Sequence, residues 1–351
     1  MNDSQRTFLD ELLMTPSPSG FETDGQRVWI EYVAEFADEV RTDAYGNTIA
    51  TVNGGSTEIA IVGHADQIGY IVRRIDEKGF LHLGPIGGVD NTVSQGQYVT
   101  VHADSGPVSG VIGQTAIHLR KGEDEYSEIN EQNVDIGAGD GESARELVSV
   151  GDPITVESRV RDLQGTRIAA SGLDNRVGTW TAAEVLRKIA ESDHEPTVYA
   201  VSTIQEELGV RGAEMVGFDL APDAAIAVDV THAGDGANAP AERGGDIDLG
   251  AGPVIGRGSA NHPALVDALR AAANAAEIGV QLEARGIATG TDADAFYTSR
   301  GGIPSLNLGI PNRYMHTPVE MVDTEDLVDA VALLSAFIER TAGDEEFAID
   351  I

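Results

Sequence analysis

The chain has 351 residues, no cysteine, and 58 acidic against 23 basic side chains, which gives a formal net charge of −35 at pH 7. Without cysteine there is no disulfide framework, thiolate nucleophile or zinc finger, so any metal must be held by His, Asp and Glu. So large an excess of acid makes nucleic acid a poor partner, and no apolar run approaches the ~20 residues of a membrane helix, so we expect no membrane partner.

The first predicted elements are two helices followed by strands. The opening stretch MNDSQRTFLDELLM carries acids where a secretory signal has a basic start and an apolar run, so we expect a cytoplasmic protein. Apolar residues at helical spacing mark both helices, and the segment PSPSG breaks the pattern between them. These residues are Phe8, Leu9, Leu12 and Leu13, then Trp29, Val33, Phe36 and Val40. From Thr48 the runs TIATV and EIAIVG predict strands, the second buried on both faces of a sheet.

The middle of the chain predicts a β insert in an α/β domain. From residue 70 to about 162, short alternating runs such as QYVTVHA are separated by glycines and acidic loops, which is typical of a small antiparallel β unit. Afterwards long helices alternate with buried strands, and such alternation predicts a mostly parallel sheet. We therefore expect a discontinuous α/β domain over residues 1–69 and 163–351, interrupted by a β domain over residues 70–162.

Potential metal ligands follow one predicted buried strand after another. His64 and Asp66 follow EIAIVG, Glu206 and Glu207 follow TVYAVSTIQ, Asp229 ends DAAIAVD, His316 follows IPSLNLGIPNRYM, and Asp174 opens a helix after SGL. Open α/β sheets place their sites at the carboxyl ends of the strands, so these side chains should converge. Imidazole and carboxylate suit Zn, Co or Mn, and a bridging carboxylate lets two cations lie ~3.5–4 Å apart. The pattern indicates a dinuclear metal site.

Each residue alone also has a structural explanation. Asp174 suits a helix N-cap, and Glu206 and Glu207 suit a solvated strand end. It is the joint placement at strand after strand that favours a site. The remaining histidines lack such support and are predicted to be structural, although His232 lies close enough to Asp229 to orient a ligand. They are His82, His102, His118, His194, His232 and His262.

Five motifs, in this order and at these separations, resemble the tetrahedral (TET) aminopeptidases, the forty-second family of metallopeptidases, some of which are labelled glutamyl aminopeptidases or endoglucanases. The motifs are GHADQIGYIV, SGLDNRVG, IQEELGVRGAE, AVDVTHAGD and YMHTPVEMV. The resemblance covers nearly the whole chain. It implies a phosphorylase/aminopeptidase-like, three-layer α/β/α catalytic domain with an inserted small antiparallel β-barrel, a PDZ-like dimerisation domain.

The resemblance also assigns roles to the candidate residues. It implies that Asp174 bridges two divalent metal ions, with His64 and Asp229 on one ion and Glu207 and His316 on the other. Glu206 would be the general base, and Asp66 would be the carboxylate that fixes the tautomer of His64. We expect Zn or Co as the native ions, with Mn as a further candidate.

Two details of the motifs concern the same site. Many relatives have Glu where this chain has Gln67, a difference that removes no ligand. The resemblance also suggests a cis peptide bond between Asp174 and Asn175.

The predicted activity is that of an aminopeptidase, which removes N-terminal residues from short peptides with a metal-activated water and the Glu206 base. An amidase or deacylase acting on acylated amino acids or blocked peptides is the nearest alternative. A glycosidase is another, but its two carboxylates stand ~5–9.5 Å apart across the sugar bond, whereas Glu206 and Glu207 are adjacent. A metal-bound scaffold without activity is the last alternative.

Assembly, specificity and habitat complete the expectations. The resemblance implies dimers formed through the β insert, and twelve-subunit tetrahedral particles. Candidates to line the specificity pocket are the GTDADAF segment from Gly290, the GRGSANHP loop from Gly256, and Arg313. The acidic composition, with only three lysines (Lys78, Lys121 and Lys188), indicates a halophile, because screening lengths fall to about 3 Å at ~1 M salt.

Overall fold

The computed structural model describes residues 1–120, 127–237 and 246–349, and it has an α/β fold with an inserted closed barrel. The helices are Asp3–Met14 (α1), Thr23–Val33 (α2), Asn91–Ser94 (α3), Gly141–Leu147 (α4), Leu173–Ala190 (α5), Arg211–Leu220 (α6), Pro263–Ala276 (α7), Ala293–Thr298 (α8) and Thr324–Arg340 (α9). Two short 3₁₀ turns cover Ile117–Leu119 and Ile129–Glu131.

The strands form one large sheet, one barrel and one small sheet. They are Glu39–Thr42 (β1), Thr48–Val52 (β2), Glu58–His64 (β3), Gly69–Ile75 (β4), Leu81–Ile86 (β5), Tyr98–Ala103 (β6), Gly106–Ile112 (β7), Asn133–Asp135 (β8), Pro153–Val156 (β9), Arg161–Asp162 (β10), Arg167–Ala170 (β11), Thr197–Thr203 (β12), Ala224–His232 (β13), Val254–Arg257 (β14), Gln281–Ala284 (β15), Ser305–Asn312 (β16) and Glu320–Asp323 (β17).

The large sheet has eight strands in the order β1-β2-β12-β3-β13-β16-β14-β15. Its four central strands, β12, β3, β13 and β16, are mutually parallel, as the alternation of helices and strands predicts. Strands β1 and β2 on one side, and β14 against β16 on the other, pair antiparallel. The carboxyl ends of the four central strands therefore meet at one edge of the sheet.

Successive side chains of the central strands point to two separate apolar clusters. Ile59 and Ile61 of β3 pack with α1, α2, α5, α7 and α9 in the larger cluster. Ala60 and Val62 pack with α6 and α8 in the smaller one. This alternation follows from the pleat of a strand, and it explains why EIAIVG is apolar throughout. In the described part of the chain, no helix has the length and apolar character needed to cross a membrane.

The second predicted helix was too long. The apolar spacing continues to Val40, but α2 ends at Val33, and Val40 lies in β1, where it pairs with Ala50. Asp43 accepts hydrogen bonds from the amides of residues 45, 46 and 47, which closes the turn between β1 and β2. Strand pairing therefore outweighs the helical spacing beyond Val33.

The insert forms a closed six-stranded barrel in the order β4-β5-β8-β7-β6-β9, and its strand pairs are antiparallel. It has its own apolar core, which includes Val72, Leu83, Val101 and Ile154. Strand β10 lies outside it, in a three-stranded sheet with β11 and β17. Division of the domains at residues 69/70 and 162/163 stays a prediction.

Candidate functional site

One cavity of about 270 Å³ lies at the carboxyl edge of the central strands, and six of the seven predicted site residues line it. They are His64, Asp174, Glu206, Glu207, Asp229 and His316. The seventh, Asp66, is fully buried two residues after the end of β3. The cavity forms here because β3, β12, β13 and β16 are parallel and end at the same edge.

The first group of potential ligands is built around His64, the last residue of β3. Its Nε2 lies 3.2 Å from Asp174 Oδ1, 3.7 Å from Glu206 Oε2 and 3.7 Å from Asp229 Oδ1. His64, Glu206 and Asp229 each offer an atom within 4.8 Å of the others, a spacing that could hold a metal ion.

The second group is built around His316, which follows β16 and has a left-handed backbone at φ 61°. Its Nε2 lies 3.3 Å from Asp174 Oδ2 and 3.4 Å from Glu207 Oε1. These three residues could also hold an ion. Asp174 presents one carboxylate oxygen to each histidine, which is the arrangement that a bridging ligand requires.

Both histidines have the orientation that metal binding needs. His64 Nδ1 lies 3.2 Å from the backbone carbonyl of Asp66, and His316 Nδ1 lies 3.1 Å from that of Gly88 in the insert. A carbonyl oxygen only accepts, so each Nδ1 carries the proton and leaves the Nε2 lone pair for an ion. The buried Oε1 of Glu207 has no hydrogen-bond partner, as expected of an oxygen that binds a cation.

The charges of the cavity also favour cations. Burial raises the pKa of Glu206 to about 10, and repulsion from Asp229 and other carboxylates adds to the shift. Burial likewise raises the pKa values of Glu207 and Asp229. Burial alone would raise the pKa of Asp174 as well, but His316 and His64, whose imidazoles also carry a proton on Nε2 when no ion is bound, donate to it and hold its pKa below the usual range. Bound cations would let these carboxylates ionise together, with release of protons.

Asp66 has more contacts than its predicted role requires. The carboxylate oxygen Oδ1 of Asp66 lies 3.4 Å from His64 Nδ1, whereas the backbone carbonyl oxygen of Asp66 lies 3.2 Å from the same nitrogen. The same carboxylate accepts hydrogen bonds from the backbone amides of Glu206 at 2.9 Å and Glu207 at 3.1 Å, and from the hydroxyl of Ser19 at 2.7 Å. Asp66 therefore contacts both the histidine and the segment that carries the two glutamates.

Sequence reasoning missed Glu320, although it lies in the motif YMHTPVEMV. Its side chain is buried and accepts the amide hydrogen bonds of Asp174 at 3.0 Å and His316 at 2.9 Å. The spacing of four residues from His316 is the only signal that could have found it. Glu320 ties together the start of α5 and the segment after β16. The peptide bond between Asp174 and Asn175 is cis, as the motif suggests.

Arg176, two residues after Asp174, was also missed. Its guanidinium is buried, and its Nη2 donates to the side chain of Gln67 at 2.7 Å. Burial lowers the pKa of Arg176 to about 10, while the charges of Asp66 and other nearby carboxylates raise it. This cation partly offsets the negative charge behind the ligands.

The segment from Gly290 is the specificity candidate that contributes to the cavity, through Gly290 and Thr291. Arg313 pairs instead with Asp235, at 2.8 Å through Nε, so the charge of Asp235 balances that of Arg313. Arg285 lines the cavity and was not predicted. Its guanidinium lies 2.9 Å from Glu283, whose charge it balances.

Comparisons with known proteins agree with this geometry. The family model described as M42 glutamyl aminopeptidase matches residues 46–333. A lysyl aminopeptidase of Pyrococcus furiosus is 33% identical over 339 residues, which are 95% of this chain and 96% of that protein. The crystal structure of a TET aminopeptidase from a marine sediment archaeon of the Thaumarchaeota matches with a TM-score of 0.93 at 30% identity, over 97% of each chain. The TET1 peptidase of Pyrococcus horikoshii, described as able to assemble into a tetrahedron or a large octahedral shell, matches with a TM-score of 0.87 at 28% identity, over 96% of this chain and 100% of that one.

Proposed function

The chain belongs to the M42 family of glutamyl aminopeptidases, and from this membership we propose that it is a metal-dependent aminopeptidase that removes N-terminal residues from short peptides. One observation carries the proposal: Asp174 presents its two carboxylate oxygens to His64 and His316, at 3.2 Å and 3.3 Å. Each histidine is also accompanied by further carboxylates in one cavity. This donor set fits two divalent cations better than any use of the carboxylates alone.

We assign the residues to two ions. Asp174 would bridge them, His64 and Asp229 would complete one site, and Glu207 and His316 would complete the other. The histidine and carboxylate donors suit Zn or Co, with Mn as a third candidate. When bound, the ions would lower the pKa of a water molecule and polarise the substrate carbonyl.

In this mechanism Glu206 is the general base. Its carboxylate takes a proton from the attacking water and passes it to the nitrogen of the leaving peptide. The neighbouring carboxylates are well placed to hold the free α-amino group of the substrate, since they surround the same cavity. That contact restricts cleavage to the first peptide bond.

The proposal extends to assembly and location. We propose that the barrel is a PDZ-like dimerisation domain. Helices on both faces of the sheet would make the catalytic domain a three-layer α/β/α unit. Dimers would assemble into a tetrahedral dodecamer. The tetrahedron described for the P. horikoshii protein supports the last of these three points. We place the protein in the cytoplasm of a halophile.

Unblocked and blocked peptides distinguish the proposed activity from its alternatives. We expect release of the first residue from a panel of free aminoacyl chromogenic substrates and tetrapeptides, and none from the same peptides after N-acetylation. Cleavage confined to the acetylated or acylated substrates would make the enzyme an amidase or deacylase. Hydrolysis of a β-glucan alone would make it a glycosidase. If none of these substrates is hydrolysed, the remaining alternative is a metal-bound scaffold without activity.

Salt is expected to stabilise the protein, because a net charge of −35 repels itself when it is poorly screened. The thermal unfolding midpoint should rise by at least about 5 °C between 0.1 M and 2 M KCl, as measured by circular dichroism. Chloride is the suitable salt, because sulfate stabilises proteins by exclusion from their surface. A midpoint that stays constant or falls over this range would remove the halophile assignment and leave the peptidase assignment intact.

A further inference from the structure

The backbone amides of residues 204–207, a segment that ends with Glu206 and Glu207, all donate hydrogen bonds to side chains from the first 66 residues of the chain. The amide of Ile204 donates to Asn47 at 3.0 Å, that of Gln205 to Glu22 at 3.2 Å, and those of Glu206 and Glu207 to Asp66 at 2.9 Å and 3.1 Å. We call residues 204–207 the glutamate loop. The loop follows β12, which ends at Thr203, and its amides are thus held by side chains. Its carbonyls at Ile204 and Gln205 accept hydrogen bonds from the amides of Gly212 and Arg211 at the start of α6, at 2.9 Å and 3.2 Å.

Gln205 is the residue of the glutamate loop that most needs such support. It has a left-handed backbone at φ 53°, a conformation that is uncommon for a residue with a side chain. Conformations of this kind persist only where the surroundings hold them. The hydrogen bond from the Gln205 amide to Glu22 is a contact of that kind, immediately before Glu206.

Glu22 is itself firmly placed, in the turn between α1 and α2. It is buried, and the same oxygen that accepts from Gln205 also accepts from the amide of Gly20 at 2.7 Å. In the same turn, the Ser19 hydroxyl donates to Asp66, and the Ser19 amide donates to the Gln67 carbonyl at 3.1 Å. Burying a carboxylate costs free energy unless it accepts hydrogen bonds. The amides of Gly20 and Gln205 therefore offset the cost of burying Glu22.

We propose that Glu22 is a positioning residue of the reaction: by accepting the Gln205 amide, it fixes the left-handed turn that directs Glu206 into the metal cavity. The amide of Glu207 is held separately by Asp66. The inference rests on the proposed role of Glu206 as base. Without the acceptor at Glu22, the Gln205 amide loses its hydrogen bond, and the bond that the Gln205 carbonyl accepts from Arg211 is what remains at this residue. We expect the left-handed turn then to loosen, which displaces the carboxylate of Glu206. Misplacement by about 1 Å can cost on the order of 10²-fold in rate.

The test compares Glu22→Ala with Glu22→Gln in the full chain loaded with Zn. Glutamine keeps an oxygen that can accept from Gln205, whereas alanine has none. We expect Glu22→Ala to lower kcat by about 10- to 100-fold with KM within about threefold of wild type and metal content unchanged. Glu22→Gln should restore kcat to within about threefold of wild type, because the hydrogen bond and not the charge matters. Asp24→Ala, an exposed acid two residues further on, is the matched control.

Hydrogen exchange gives a second readout that does not depend on activity. The amides of residues 204–207 should exchange faster in Glu22→Ala than in wild type, and at the wild-type rate in Glu22→Gln and Asp24→Ala. If Glu22→Ala does not fold, Glu22→Asp takes its place, because its carboxylate is one methylene shorter and withdraws from Gln205.

Three results would overturn the inference: wild-type kcat in Glu22→Ala, an equal loss in Glu22→Ala and Glu22→Gln, or unchanged exchange in residues 204–207. A wild-type enzyme that releases no N-terminal residue would instead overturn the proposed function. In that case the exchange experiment still decides whether Glu22 holds the glutamate loop.

Discussion

Glu206→Gln is expected to lower kcat by ~10²–10⁴ while two ions remain bound to each chain. Glutamine has nearly the shape of glutamate but cannot take a proton from water. The Oε2 of Glu206 lies 3.7 Å from His64 Nε2, so the carboxylate faces the ligands without contacting the histidine closely. Steady-state rates on a free peptide, together with metal analysis of the purified variant, measure both parts of the prediction.

The matched control is Glu214→Gln, which changes an exposed glutamate in α6 that pairs with Arg211. It should leave both rate and metal content at the wild-type level. Activity of Glu206→Gln within threefold of wild type would remove Glu206 from the role of base. Loss of an ion along with the activity would make Glu206 a ligand, a role that its grouping with His64 and Asp229 also permits.

Asp174→Ala is expected to abolish both metal binding and peptide hydrolysis. Asp174 is the one proposed ligand whose two oxygens face both histidines, so its loss weakens both sites together. Metal affinity should fall by more than the ~10–100-fold caused by losing a residue that only orients a ligand. Titration of the metal-free protein with Zn, followed by calorimetry, measures the affinity.

Wild-type protein stripped with a chelator is the reference for Asp174→Ala. It should lose all activity and regain it when Zn, Co or Mn is added back separately, whereas the variant should regain none. Activity that survives complete removal of metal would contradict a metal-dependent mechanism. Restoration of the variant to wild-type rates by one of these ions would contradict the bridging role.

The order of elements in the α/β fold and the convergence of the proposed ligands follow from the sequence for one physical reason. Buried parallel strands have continuous apolar runs, and their carboxyl ends meet at one edge, so the polar residues that follow these runs come together in the fold. The run EIAIVG before His64 is an example, and β3 does end at that residue. The spacing of Val33 and Val40 misled because strand pairing with β2 is invisible to helical periodicity.

Residues that act on backbone amides could not be predicted in this way. Glu22 and Glu320 have no periodic pattern, and each reaches an amide far along the chain, at Gln205 and Asp174 respectively. Glutamates such as Glu22 are common in turns, and the spacing of Glu320 from His316 is a weak signal, so the folded backbone is what distinguishes these two. Arg176 was hidden for a related reason, since its neighbours come from the segment that contains Gln67.

The ligands are spread along the chain from His64 to His316, with the whole barrel between the first and the second of them. A polypeptide still being synthesised therefore has an incomplete site until residue 316 has been added and has reached Gly88, which follows the barrel strand β5. On the proposed assignment, the protein therefore gains its activity only after long-range folding has joined the two ends of the catalytic domain.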